Sequence, residues 1–316
     1  MKLRAFISIL VAAAACTVQP GAWAYPDKPV QYIIAFSPGG ESDVMARWQQ
    51  IVFRKLYNKD MVILNKPGAG GGLAWSQLNS QPADGHTIVG INLPHIVLQP
   101  MEGQVQYKTE DITPVYWFHY TADAIIVPTD SPYKTFADLV KAAKAAPGKL
   151  TFAGSGTNSA NHLAHEKFNV LAGVTSTYVP FKGTGDLMAS VAGNHVSGAM
   201  SYVPLAIQQK GKMRLLAVAL NKRHPQFPDV PTFKELGFNW VDGAYRGVGV
   251  PKSTPMDVQK KVSDMMAALN KDPGILKQMA DGGFEVVDIP VDKNAAFMQA
   301  RTREYVEMAK RMGLLK

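Results

Sequence analysis

The sequence predicts an α/β protein of two domains, each a mostly parallel sheet flanked by helices, with one domain inserted into the other. Three observations carry this expectation. Short apolar runs alternate with amphipathic helical patterns along nearly the whole chain. Several of those runs end in small or glycine residues just before a helix begins. The 316 residues, enough for two ordinary domains, contain no flexible linker that would divide them. Two domains without a linker imply that the chain crosses between them twice.

The first segment to explain is not part of the fold. Lys2 and Arg4 precede the apolar run Ala5 to Ala15, and Ala22-Trp23-Ala24 puts small residues where a signal peptidase cleaves. Residues 1–24 are therefore expected to be a cleavable export signal, with Tyr25 the first mature residue and the periplasm the destination. Cys16 raises a lipoprotein alternative, but Ala13-Ala14-Ala15 before it lacks the usual leucine. It is the single cysteine and lies in the removed segment, so disulfides, thiol catalysis and cysteine metal sites are excluded from the mature protein. No later stretch approaches ~20 consecutive apolar residues. The formal charge is +8, but lysines and arginines are scattered without basic runs, which argues against nucleic-acid binding.

The elements follow in order. Gln31 to Phe36, Met61 to Leu64 and Thr87 to Ile91 read as buried strands. Val44, Trp48, Ile51, Val52 and Leu56 mark a helix after the first, and Leu73 to Leu78 is helix-like. Ile125 to Val127 is a further strand, followed by a helix through Phe136, Leu139, Val140 and Ala143 that stops at Pro147-Gly148. Leu150 to Ala153, Tyr178 to Phe181, Val196 to Met200 and Leu215 to Ala219 are strands; Ala160, Leu163, Ala164, Phe168 and Leu171 share one helical face. Thr254 reads as an N-cap before Pro255, opening a helix whose apolar face is Val258, Val262, Met265, Met266 and Leu269. A last helix runs from Lys293 to Met312.

Three junctions share one pattern of strand, small or glycine residues, and helix start. They are Ser37-Pro38-Gly39-Gly40-Glu41-Ser42-Asp43, then "AGSGTNSANH" (Ala153 to His162), then "PFKGTGD" (Pro180 to Asp186). Glycine lets backbone approach a ligand closely, and the free N–H groups of a helix's first turn attract anions. Hydroxyls of Ser37, Ser155, Thr157 and Thr184 add donors. One such turn is ordinarily just a turn, whereas three point to a cleft at the carboxyl ends of the strands. Neither the Walker A pattern nor the dinucleotide fingerprint fits "GTG" at Gly183 to Gly185 or "GAGGG" at Gly68 to Gly72, so a nucleotide is not expected.

"YPDKPVQYIIAFSPGG", "NKPGAGGG", "PADGHTI", "DITPV", "PGKLTFAGSGTNSANHLA", "YVPFKGTGD", "PDVPTFKELGF" and "RGVGVPKSTP" occur in the order of one family. The chain resembles the extracytoplasmic solute receptors of tripartite tricarboxylate transporters, also called the Bug receptors, over essentially its whole mature length. The resemblance implies a type II periplasmic binding protein with two lobes and two hinge crossovers, near Thr121 to Ile125 and Asp242 to Arg246. Residues 25–123 plus 244–316 would form one lobe and 124–243 the inserted other. It further implies a monomer that closes on a small organic acid and delivers it to large and small integral-membrane subunits.

By the same likeness, Phe36, Ser37, Gly39, Gly40, Ser42 and Asp43 of the first loop face Gly154, Ser155, Gly156, Thr157 and Asn158 of the second across the ligand carboxylate. Phe181, Lys182, Gly183 and Thr184, with Ser201 and Tyr202, would line the far side and tune selectivity. Two positions depart from the family pattern. Glu41 places a carboxylate where relatives carry a small residue, and Ser201 replaces a common aspartate. Glu41 either receives a ligand ammonium or, as the favoured expectation, points outward at the helix N-terminus, where its charge is stabilised.

Asn92 and His95, in "INLPHIVLQP", and His162 are further candidate ligand contacts, against the alternative that the histidines merely pack. A metal pair at His162 and His165 would need a third ligand, and Glu166 is assigned to another face, so no metal or cofactor is expected. An enzyme is not expected either. "GSGTN" is not a nucleophile elbow, and no His-Asp partner for a serine can be assigned from spacing. A ligand-presenting sensor subunit would use the same pocket and stays open at this stage.

Overall fold

The computed structural model describes residues 25–315; the expected export signal and Cys16 lie outside the described residues. β1 (Val30–Ile34) leads into α1 (Glu41–Tyr57), and β2 (Met61–Asn65) into a short α2 (Gly72–Ser76). β3 (Thr87–Leu93) and α3 (His95–Glu102) precede β4 (Ile112–Pro128) and α4 (Phe136–Ala145). β5 (Thr151–Gly154), α5 (Ala160–Ala172), β6 (Thr177–Pro180) and α6 (Thr184–Ala192) come next. They are followed by β7 (Gly198–Tyr202), α7 (Val203–Gln208) and β8 (Met213–Val218). β9 (Gly243–Pro251), α8 (Met256–Asn270), α9 (Pro273–Asp281), β10 (Glu285–Pro290) and α10 (Asn294–Arg311) complete the series.

The strands form a continuous path β2-β1-β3-β9-β4-β7-β5-β6, with β8 and β10 also pairing on β4. β4 belongs to two sheets. It pairs with β9 from Ile112 to Ala122 and with β7 from Asp123 onward. Each sheet is covered on both faces, as expected. α1 and α8 bury Phe53, Met266 and Leu269 on one side of the first sheet, and α2, α3 and α10 bury Trp75, Ile96 and Tyr305 on the other. α4 and α5 cover the second sheet with Leu139 and Phe168, and α6 and α7 its opposite face with Leu187 and Leu205.

Four pairs are parallel, β1 with β2 and β3, and β5 with β6 and β7, and five are antiparallel, so the sheets are mixed where mostly parallel ones were expected. The pairs that involve β4 or β9 are antiparallel, because a strand that passes from one sheet to the other is answered by one returning in the opposite sense. The short strand expected at Ile125 to Val127 is the end of the 17-residue β4. His119, Thr121 and Asp123 interrupt its apolar pattern yet are buried at 0, 0 and 2 % exposure, which is why its length was not legible. Thr254 does not cap α8: the cap position is Pro255, and the buried Thr254 hydroxyl has no partner.

β4 and β9 run very close where the sheets meet. A Cβ on Gly243 would collide with the Thr121 carbonyl, so only glycine lets the two strands approach there. Gly243→Ala is expected to lower stability in urea by about 1–3 kcal/mol, the usual cost of overpacking. An unchanged denaturation midpoint would show that these strands part freely.

Candidate functional site

The three glycine junctions converge. Strands β1, β5 and β6 each end in a short loop that turns directly into α1, α5 and α6. The junction between β3 and α3 joins them with Asn92 and His95, and β9 contributes Arg246. Phe36, Gly40, Glu41 and Ser42 from the first loop, with Ser155 and Thr184 from the other two, close around a cavity of about 10 Å³. Such a volume holds about one water molecule, so any larger ligand requires the loops to separate.

The loops meet backbone to backbone. Gly185 lies against the Pro38 carbonyl, with no room for a Cβ between them. At Gly156 (φ +94°) an added Cβ would stand 2.5 Å from the Gly70 Cα. Three side-chain bonds cross the same boundary: the Ser37 hydroxyl donates to Asp186 Oδ2 at 2.6 Å, Asn158 Nδ2 donates to Glu102 Oε2 at 2.6 Å, and Gln99 Nε2 donates to the Thr157 carbonyl at 3.4 Å. A wider opening of about 830 Å³ lies beyond, bounded by Gly70, Gly156, Thr157, Phe181, Lys182 and Asp186.

Arg246 dominates the interior. It is only 3 % exposed, and its guanidinium lies 4.5 Å from the centre of the Tyr202 ring. Nη1 donates to the Thr121 hydroxyl and, at 3.3 Å, to the Ala244 carbonyl. Nε has no hydrogen-bond partner, and Nη2 stands 3.7 Å from Glu41 Oε2. Its Nε–Nη2 edge, the geometry that takes a carboxylate in two parallel bonds, is thus unfilled. Glu41 is 3 % exposed and turned inward, so its expected outward orientation is corrected: α1 begins at Glu41, and the side chain folds back towards Arg246.

The profile of the TctC family, described as tripartite tricarboxylate transporter family receptor, matches residues 45–314. The chain belongs to this family. BugT of Bordetella pertussis is 26% identical over 99% of this chain and 98% of its own. The solved structure of the periplasmic binding protein BugD is 27% identical with a TM-score of 0.86, covering 92% of this chain and 100% of that one. An R. palustris protein solved with adipate is 26% identical with a TM-score of 0.84, covering 92% and 98%. TctC proteins are periplasmic solute-binding receptors. Among the described residues of this TctC chain, no helix is long and apolar enough to cross a membrane.

The remaining predicted site residues of this TctC chain divide between lining and support. Asp43 supports: it accepts bonds from Arg47 (Nε 2.9 Å, Nη2 3.0 Å), Asn65 Nδ2 (3.0 Å) and the Gly39 N–H (3.0 Å). That last bond holds Gly39 at φ +82°. Gly154 lies beneath Tyr178, and Gly183 packs on Phe36 and Ser37. His162 accepts a bond from the Asn158 N–H at 3.2 Å and stacks on Tyr178 at 4.5 Å, bracing the second loop. Ser201 is fully buried with an unpartnered hydroxyl, as is the Tyr202 hydroxyl.

Glu166, expected on another helix face, sits between two histidines, 2.9 Å from His165 Nδ1 and 3.8 Å from His162 Nε2, because a step of four residues returns to the same side. His165 Nε2 is taken by the Ser176 hydroxyl at 2.8 Å. Among the described residues, no group of three or more His, Cys, Asp or Glu side chains could hold a metal ion. Sequence reading missed Arg246, although an isolated charge within the otherwise uncharged "AYRGVGVP" was a usable signal.

His95 is buried, its ring edge-on to Phe36 at 5.6 Å, with Nδ1 unpartnered. Burial, helped by the nearby Arg246 charge, pushes its pKa down to about 3, and burial pushes His162 down to about 4. Both are neutral at physiological pH and serve as dipoles, not charges. The unfolded chain protonates these rings near pH 6.5, so it binds more protons than the fold below that value. Their contribution to stability is therefore complete above about pH 6.5 and lost as pH falls towards 4. The thermal midpoint is expected to drop across that window, and less steeply in His95→Gln. A flat profile in the unsubstituted protein would contradict this.

Proposed function

We propose that this chain captures a small organic acid between two lobes, residues 25–123 plus 244–316 and residues 124–243, and passes it to integral-membrane transporter subunits. The observation that carries the reading is the buried, unfilled Nε–Nη2 edge of Arg246, at a cavity that the first turns of α1 and α6 also face. A carboxylate there would meet a fixed cation and two helix N-termini, each favourable to negative charge. The adipate-bound neighbour supports the class of ligand without fixing which acid this chain takes. A cavity of one-water size supports binding by closure, the lobes parting at β4 and β9 to admit the ligand and returning to exclude solvent.

The test is thermal unfolding of the mature protein against a panel of small organic acids, with native mass measured in parallel. A ligand at ~100 times its dissociation constant stabilises by ~2.7 kcal/mol, an easily read shift. Arg246→Gln is expected to abolish that shift while still unfolding cooperatively. Shifts of equal size in both proteins would remove Arg246 from the site.

Closure makes a separate prediction. Gly185→Ala adds a residue that helices favour, but its Cβ would strike Pro38 only when the loops meet. The variant is expected to keep its ligand-free melting midpoint and to bind tenfold or more weakly by calorimetry. Undiminished affinity would show that the loops do not need to touch.

A further inference from the structure

We infer that the cleft selects a small zwitterion, an α-amino acid with an uncharged side chain, whose carboxylate takes the Arg246 fork and whose ammonium takes Glu41. The inference rests on the reading of the cleft as an acid receptor and names the class of acid. Both groups are buried at 3 % exposure and face the same cavity. Their closest atoms, Nη2 and Oε2, are 3.7 Å apart, inside ion-pair range but beyond a hydrogen bond. A buried pair in that state has lost its hydration without gaining the hydrogen bonds that offset it. Within the described residues the Glu41 carboxylate accepts no hydrogen bond, and the Arg246 Nε–H has no acceptor to donate to.

One ligand completes both groups at once. A carboxylate bridging Nε and Nη2, with a protonated amine on the adjacent carbon, supplies the missing acceptors and donors at the spacing of the two side chains. A dianion does not. The other lining groups, Phe36, Ser42, Asn92, His95, Ser155 and Thr184, are uncharged with His95 neutral, and Glu41 would repel a second carboxylate. Lys182, the nearest cation of the outer opening, is exposed and does not line the inner cavity.

The experiment uses full-length mature protein, stripped of carried-over ligand by unfolding and refolding, with the released molecules identified by mass spectrometry. Calorimetry then compares each uncharged amino acid with its 2-hydroxy and 2-deamino analogues, and with succinate and adipate as dianions. At least one amino acid is expected to bind tenfold or more tightly than its deaminated analogue. Glu41→Gln should erase that preference without weakening the deaminated acid, and Glu41→Asp should restore part of it; melting midpoints confirm that both variants fold. A preference unchanged in Glu41→Gln, or dianions binding more tightly than every zwitterion, overturns the inference and leaves the receptor reading standing. Release of a dianion on stripping counts the same way, and release of an amino acid supports the inference. Binding of no acid, with nothing released, overturns both.

Discussion

A single strand shared by two sheets is the constraint on which the rest of this molecule depends. β4 pairs with β9 as far as Ala122 and with β7 from Asp123, so the sheets cannot be arranged independently. β9 runs back along it, and the glycine at 243 keeps the two backbones in contact where the sheets meet. The buried polar residues of β4 have a use here. Thr121 receives Nη1 of Arg246, so the cation is fixed by the same strands that join the halves.

Holding an arginine at 3 % exposure carries a large desolvation cost, and several contacts offset it. The Tyr202 ring presents its π face at 4.5 Å, Thr121 and Ala244 accept from Nη1, and Glu41 supplies opposite charge. The offset is incomplete because one edge of the guanidinium is unmatched. Around it the site is stiff: Asp43 clamps the first loop through four bonds, and His162 with Tyr178 clamps the second. Preorganisation of this kind lowers the ordering cost of binding.

The glycine junctions were legible because their signal is local. Small residues, a hydroxyl and a helix start lie within a few positions of one another, and the structure brings all three to one cleft. The helices on both sheet faces were legible for the same reason, through their apolar spacing. What was not legible depends on partners distant in sequence. β9 entered the sequence reading only as a hinge crossover and a motif, because the close approach of β4 that explains Gly243 and Gly247 is not visible locally, and Arg246 was given no role at the site. Glu41 was ambiguous because a helix N-terminus stabilises an acidic side chain whether it faces in or out. Only the arginine on a far strand decides its direction.

The back-to-back contacts of Gly185 with Pro38 and of Gly156 with Gly70 bear on how such a receptor can diversify. Where main chain touches main chain there is no side chain to vary, so these positions fix how closely the loops approach whatever side chains surround them. Variation is left to the few places that do project into the interior, among them 41, 92, 95 and 246. Exchanges at those few places would change what the interior can hold while leaving the backbone contacts between the loops as they are.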